Sequence, residues 1–518
     1  MKRLASLVWL VTIMLASACT STPTATDAPA TSQPDITATS QPDITATPSP
    51  VPATLAPTNS PEPTLSPTPA PPTATAVPVV DTTGNLVDTT PRQPFADGPI
   101  LLDSRIDMRR VAGVPLNSIR LVYDATTSSL LLLTIGDGLY RVNPNDGTMS
   151  MIARGNDMLG AATPSGLAVA EDGTVFVVGN QNDGPNTKAT VRRGRPNGTS
   201  YTWDTMMSTA PYPRSDTPFD HLFNGIVVSP DQKWLFVSSG SRTDHGEVED
   251  QNGTFPDTRE VALTARMYRF AIDSSNVVLQ NDETAIAPYV YARGFRNAYD
   301  PAFAPNGALF VGDNGPDADF PDELNWVQQD GHYGFPWRFG DQDTPQRASD
   351  YDPNADKLLQ PDFTAVQIGA YRNDPTYPPA PATMRDPIAN SGPAATFYRD
   401  ASGQVRNASQ EGSTLASFTP HRSPLGLVFA DDAFPASWRN TGTISGFILS
   451  WGAAGGSLPD RGQDMLALSL QQSGDNYTMT ARQIVRNLRN PIDAAIVADT
   501  IYVLEFGQDV SIWELRFR

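Results

Sequence analysis

Six times between residues 118 and 507 the chain repeats one unit: an apolar run, a short polar turn, and a second apolar run. The copies are SIRLVYDATTSSLLLLTIGDGLYRV (118–142), SGLAVAEDGTVFVVGN (165–180), NGIVVSPDQKWLFVSSGS (224–241), DPAFAPNGALFVGDNG (300–315), PLGLVFADDAF…GFILSWG (424–452) and PIDAAIVADTIYVLEFG (491–507). Turns such as Asp172-Gly173 and Asn306-Gly307 between apolar runs signal hairpins, because these residues tolerate the backbone a tight turn needs. A lone hairpin is marginal in water, so six of them must share buried surface. Radial repetition achieves this and leaves few open strand edges. The expected fold is therefore all-β, a six-bladed β-propeller over residues 96–518. Two β-sandwich domains are the alternative, and they need a linker in mid-chain. The Pro-rich, weakly periodic stretch from Asp341 to Pro420 is where it would fall; we read that stretch instead as an excursion between blades.

The residues before the repeats have a different character. Met1-Lys2-Arg3, an apolar run from Leu4 to Ala16, and then Ser17-Ala18-Cys19 predict a secretory signal over residues 1–19. The run is shorter than the ~20 apolar residues of a membrane-spanning helix. Cys19, the single cysteine of the chain, stands where a bacterial lipoprotein carries its lipid, although Ala16 occupies a place where Leu is usual. The expectation is an exported cell-envelope lipoprotein, touching the membrane through that anchor alone. Residues 20–95 are mostly Pro, Thr, Ser and Ala and include the octapeptide TSQPDITA twice in tandem, at 31–38 and 39–46. Such a composition buries too little apolar surface to offset chain entropy, so a disordered, semi-extended spacer is predicted. The formal net charge of -20 argues against nucleic acid as a partner, since binding phosphates needs a basic face.

Chemistry in a propeller gathers where loops converge at one mouth of the central channel, so the residues flanking the repeated strands matter most. His221 lies just before a predicted inner strand, and imidazole titrates near neutrality, which suits removal of a hydroxyl proton. Between 291 and 340 the chain packs Arg296, Asn297, Asn314 and several carboxylates around two strands. These groups suit a polyanionic cofactor and a hard cation. In the turn Gly315-Pro316, Pro316 has no N–H, so the turn presents carbonyl oxygens of the kind hard cations prefer. Asp317, Asp322 and Glu323 follow as further oxygen donors, or as a solvated acidic loop.

This stretch resembles the signature segment of the glucose/sorbosone dehydrogenase family, soluble quinoprotein six-bladed propellers. GFRNAYDPAF is similar to that family's Gly-x-Arg-Asn element, and GPDADFPDELN…GHYGFP to its Gly-Pro…Asp-Glu-Leu-Asn…Gly-x-Tyr-Gly-x-Pro run. His221 stands nine residues before Pro230, as the family's histidine stands before its turn. The resemblance implies His221 as base and Arg296 as stabiliser of developing oxyanion charge. It also implies contacts from Asn297 and Asn314 to the quinone PQQ, and Ca²⁺ held at Gly315 and Pro316. Arg489, Arg486 and Arg422 would meet the carboxylates of PQQ, which a buried polyanion requires. One departure is visible: no Lys follows GFILSWGAAGG, where glucose dehydrogenases place a carboxylate-binding lysine. The implied activity is oxidation of an aldose or sorbosone-like sugar, with electrons passed to an external acceptor. Two rivals fit the fold as well: a Ca²⁺-dependent lactonase, or a propeller that only binds a glycan or protein partner.

Overall fold

The computed structural model describes residues 78–518 except Ala454. The expected signal segment, Cys19 and most of the spacer lie outside the described residues. Every repeated unit of the sequence is an antiparallel hairpin, and each hairpin opens one blade. Blade 1 is Ser118–Asp124, Ser129–Thr134, Gly138–Val142 and Met149–Arg154; blade 2 is Thr163–Val169, Val175–Asp183, Asn186–Asn197 and Ser200–Thr209. Blade 3 is Phe223–Val228, Trp234–Ser239, Arg266–Ala271 and Val290–Arg293. Blade 4 has three strands, Ala302–Phe303, Leu309–Asp313 and Glu323–Val327. Blade 5 is Pro424–Phe429, Ile444–Ser450, Asp464–Ser473 and Asn476–Arg486. Blade 6 takes Pro491–Val497, Thr500–Glu505 and Ser511–Phe517 from the C-terminal end, and its fourth strand, Ile106–Gly113, from the N-terminal side. The last blade thus ties the two ends of the body together by backbone hydrogen bonds.

The apolar runs read as strands because both of their faces are covered. Leu130, Leu131, Leu132 and Leu133 are all fully buried, each worth ~1.5–3 kcal/mol of burial. The buried clusters lie between neighbouring blades. One centres on Val191, Phe223 and Tyr268, between blades 2 and 3; another on Phe310, Phe429 and Tyr477, between blades 4 and 5. A six-bladed disc held by inter-blade cores is the expected architecture. The first strands of adjacent blades touch around the axis.

The axis itself is filled. Arg120, 2% exposed on the first strand of blade 1, donates from Nε to the Ser165 carbonyl and from Nη2 to those of Asn224 and Tyr299. Its guanidinium lies 3.7 Å over the Tyr299 ring and 3.7 Å from Asp300. Asp300 accepts the Leu427 amide, and Asp493 accepts the Leu121 amide. One buried cation and two carboxyl groups thereby connect first strands from all six blades.

Residues from Val79 onward belong to the body, so its packed part begins inside the segment read as spacer. Val80 pairs with Leu86 and Arg92 with Leu101, while the Arg92 guanidinium donates to the Asp103 and Ile106 carbonyls. Phe95 packs its ring on Trp513. The segment 328–423 is an excursion between blades 4 and 5, with two short hairpins and brief helical turns. Among the described residues, no helix is long and apolar enough to cross a membrane.

Candidate active site

Strands alternate in direction within a blade, so the loops entering each first strand share one end of the disc with those leaving each second strand. His221, Arg296, Arg422 and Arg489 enter first strands; Ser241–Asp244 and Asn314–Pro316 leave second strands. The connectivity therefore brings blades 3 and 4 together at one mouth.

At its centre the Nη1 of Arg296 stands 3.5 Å from the Nε2 of His221 and 3.4 Å from the Asn314 carbonyl. The tautomer of His221 follows from its other nitrogen. Ser241 Oγ gives its only proton to the Thr243 carbonyl at 2.7 Å, so it can only accept at 3.2 Å from His221 Nδ1–H. Nε2 is left as the acceptor nitrogen, with Arg296 Nη1 as its neighbour at 3.5 Å. Burial, and then the Arg296 charge, push the His221 imidazole down to about 3, so it is neutral across the working pH range. An anionic ligand beside Arg296 would cancel the second of these effects and make the ring more basic.

Arg296, 6% exposed, is held as a fork by Asp244: Nη2 to Oδ1 at 2.6 Å, and Nε to the Asp244 carbonyl at 2.8 Å. Burial pushes the Asp244 carboxyl up, but Arg296 and His245 outweigh it and hold the group well below the usual carboxylate range. Asp244 also accepts from His245 Nδ1 at 2.9 Å, from the Asp317 amide at 3.1 Å and from the Tyr371 hydroxyl at 3.2 Å. The His245 and Tyr371 rings stack at 3.8 Å. Neither Asp244 nor Tyr371 emerged from the sequence. Asp244 lies 52 positions from Arg296, and nothing local marks it as the buried counter-ion.

The predicted cofactor residues divide. Asn297 faces the same loop cluster, with its Oδ1 accepting from Asn224 Nδ2 and its amide bound to Asp313. Asn314 keeps a buried Oδ1 with no partner among the described residues. Arg489 is exposed at the mouth of blade 6, and its guanidinium donates to the Asp509 and Asp97 carbonyls and makes no ion pair among the described residues. Two other arginines are placed differently from the expectation. Arg422 is 2% exposed and bound to both Asp460 and Asp464, which outweigh the cost of burial and keep it firmly protonated. Arg486 ends the fourth strand of blade 5, out toward the rim of the disc, and is exposed. Arg461, in the blade 5 loop that lacks the family's lysine, presents an exposed guanidinium bound only to the Gly456 and Ala453 carbonyls.

The predicted metal ligands do not converge. Asp322 binds the Gly315 and Ser423 amides, and Glu323 binds the Gly340 amide and Asn325 Nδ2. Asp317 accepts the Ala365 amide, and the Pro316 carbonyl already accepts from Ala318. Burial pushes Asp322 and Glu323 up, and burial with Asp244 nearby raises Asp317 to about 6. These carboxyls staple turns together. Among the described residues, no group of three or more His, Cys, Asp or Glu side chains is arranged to hold a metal ion. The carboxylates therefore do not form a cation site with one another, and the expectation for Ca²⁺ is left to the Gly315 and Pro316 carbonyls. For an anionic planar cofactor the fit is better: the mouth offers Arg296 and the guanidinium groups of Arg489 and Arg461, which among the described residues make no ion pair and donate to backbone carbonyls.

The fold and site define a class: a propeller with one polar mouth built around a histidine and a carboxylate-held arginine. Residues 161–367 match the model of the family Glucose / Sorbosone dehydrogenase, the family the sequence resembles, and that span contains His221, Asp244, Arg296 and the 313–323 loop. A stretch of 130 residues, 23% of this chain, is 28% identical to quinoprotein glucose dehydrogenase B of Acinetobacter calcoaceticus and covers 26% of it. The chain thus matches about a quarter of that relative's length. A solved glucose dehydrogenase aligns over 79% of this chain and 98% of its own, with 15% identity and a TM-score of 0.50. The PQQ-bound aldose sugar dehydrogenase of Streptomyces coelicolor aligns over 80% and 99%, with 15% identity and a TM-score of 0.47.

Proposed function

We propose that this protein is an exported, lipid-tethered dehydrogenase that oxidises an aldose or sorbosone-like sugar with PQQ as cofactor and passes the electrons to an external acceptor. The observation that carries the reading is the unprotonated Nε2 of His221, 3.5 Å from Nη1 of the Arg296 guanidinium, inside the segment that matches the dehydrogenase family. When bound, the quinone would supply the acceptor for a hydride, which carries the two electrons of the oxidation. The remaining work falls to the chain. His221 Nε2 takes the proton of the sugar hydroxyl whose carbon is oxidised. Ser241 holds the ring in the tautomer that allows this. Arg296, locked by Asp244, offers Nη1 to negative charge developing in the same space, a preorganised arrangement that costs no rearrangement during reaction. Arg489, Arg461 and Asn314 would hold the anionic cofactor, and Asn297 would support its edge.

The test is PQQ titration of the full chain at fixed Ca²⁺, following aldose-dependent reduction of a dye, beside His221→Ala. Turnover that appears with PQQ and falls ~10²–10⁴-fold in the variant supports the reading. Absence of PQQ binding in folded protein would move the assignment to a propeller that binds a glycan or protein without chemistry.

A further inference from the structure

Away from the mouth, a cleft of about 400 Å³ opens on the side of the disc between blades 4 and 5. One wall is the end of blade 4, with Trp326 and the turn Gln329–Tyr333; the others are Thr383–Asp386 of the excursion and the Asp475-Asn476 turn of blade 5. Tyr333 also borders the small pocket beside Arg296 and Asn314; the other lining residues stand apart from the His221–Arg296 site. The volume falls toward the lower end of the ~300–1,000 Å³ typical of small-molecule sites.

Its chemistry is specific. Asp330, Asp386 and Asp475 are spread around the cleft rather than gathered, and no group of three acidic or imidazole side chains among the described residues is arranged for a metal ion. Carboxylates set apart in this way suit a ligand with several hydroxyl groups better than a point cation, because each ionised carboxylate only accepts hydrogen bonds. Arg385 and Asp475 have no side-chain hydrogen bond or ion pair among the described residues, while Asp386 Oδ1 already accepts from Arg338 Nη1 at 2.7 Å and Asn476 Nδ2 is tied back to the Asp386 carbonyl. The half-buried Trp326 indole is braced edge-on by Tyr477 at 4.9 Å, so an aromatic surface is fixed beside these polar groups. An apolar face with a polar rim is what the C–H face and hydroxyl edge of a pyranose ring require. Burial, and then the Arg293 charge, push His332 down to about 4, so it adds no positive charge that would favour an anion.

We propose that this cleft is a second, non-catalytic binding site for a neutral oligosaccharide. It holds a saccharide chain against the side of the disc, apart from the mouth where reaction would occur. The proposal stands whether or not the protein binds PQQ.

The experiment is titration of the full chain, without cofactor, with a neutral glucose trisaccharide, read by indole fluorescence and saturation-transfer NMR. Saturable binding that weakens at least tenfold in Asp475→Ala and in Trp326→Phe, and is unchanged in His221→Ala, is the expected result. Asp475 lies in a turn, so its variant keeps the test valid should the Trp326 variant fold poorly. Binding lost with His221→Ala but retained in Asp475→Ala would place the saccharide at the mouth and overturn the proposal. So would the absence of saturable binding by folded protein.

Discussion

At the scale of single residues, buried carboxyl groups set much of the pH behaviour. Asp220, next to the proposed base, is pushed up to about 7, chiefly by burial. Its folded form keeps a proton that the unfolded chain releases near 3.8. Its contribution is therefore full below that value and is lost as pH rises through about 7. The Tm of Asp220→Asn relative to the natural protein should climb as pH goes from 5 to 8; parallel curves would refute this. Arg422 offers a second test. Removing it leaves Asp460 and Asp464 without their shared cation, a loss of ~3–5 kcal/mol for a broken buried ion pair. Denaturation of Arg422→Ala should show that loss, while PQQ affinity of the folded fraction stays unchanged. His221 and Arg296 were legible because each sits in a local motif beside a strand. The saturation of Arg422 and the rim position of Arg486 were not, because each depends on depth and on partners that no local pattern encodes.

At the scale of elements, the repeated hairpins and the presence of an excursion were legible, but the excursion's own order was not. A strand pair declares itself through alternation and a tight turn, whereas 328–423 gains order by docking on distant loops. Its Ala365 amide binds Asp317 and its Tyr371 hydroxyl binds Asp244, while within the segment Phe363 packs on His421 at 4.6 Å. The proposed site is therefore partly built by a segment whose own sequence predicts little. Tyr371→Phe keeps the stack on His245 and removes one buried hydrogen bond. It should cost ~1 kcal/mol in chemical denaturation. Tyr371→Ala, which also empties the ring's place among Phe320, Phe335 and Phe339, should cost ~3–5 kcal/mol. Equal effects of the two variants would show that the hydroxyl, rather than the packed ring, carries the contribution.

At the scale of the whole molecule, two devices make one disc from six sheets: the strand Ile106–Gly113 closing blade 6, and the Arg120 network at the axis. The strand was missed because Ile106–Gly113 contains Asp107, Arg109 and Arg110 on a half-exposed edge, which hides its apolar alternation. Arg120 was missed because a lone arginine in an apolar run, SIRLVYD, gives no sign of the three carbonyls it will meet. Arg120→Met should lower unfolding free energy by ~3–5 kcal/mol while the transition stays single, because the charge is removed and both carboxyls remain buried. The same side chain has a kinetic meaning. With its centre filled, the disc has a doorway at one end only. In the reaction proposed for His221, the sugar would then enter and its product leave by the mouth, and a second reactant would use the same opening. Traffic through such a cul-de-sac would be sequential, with each reactant in excess obstructing the other.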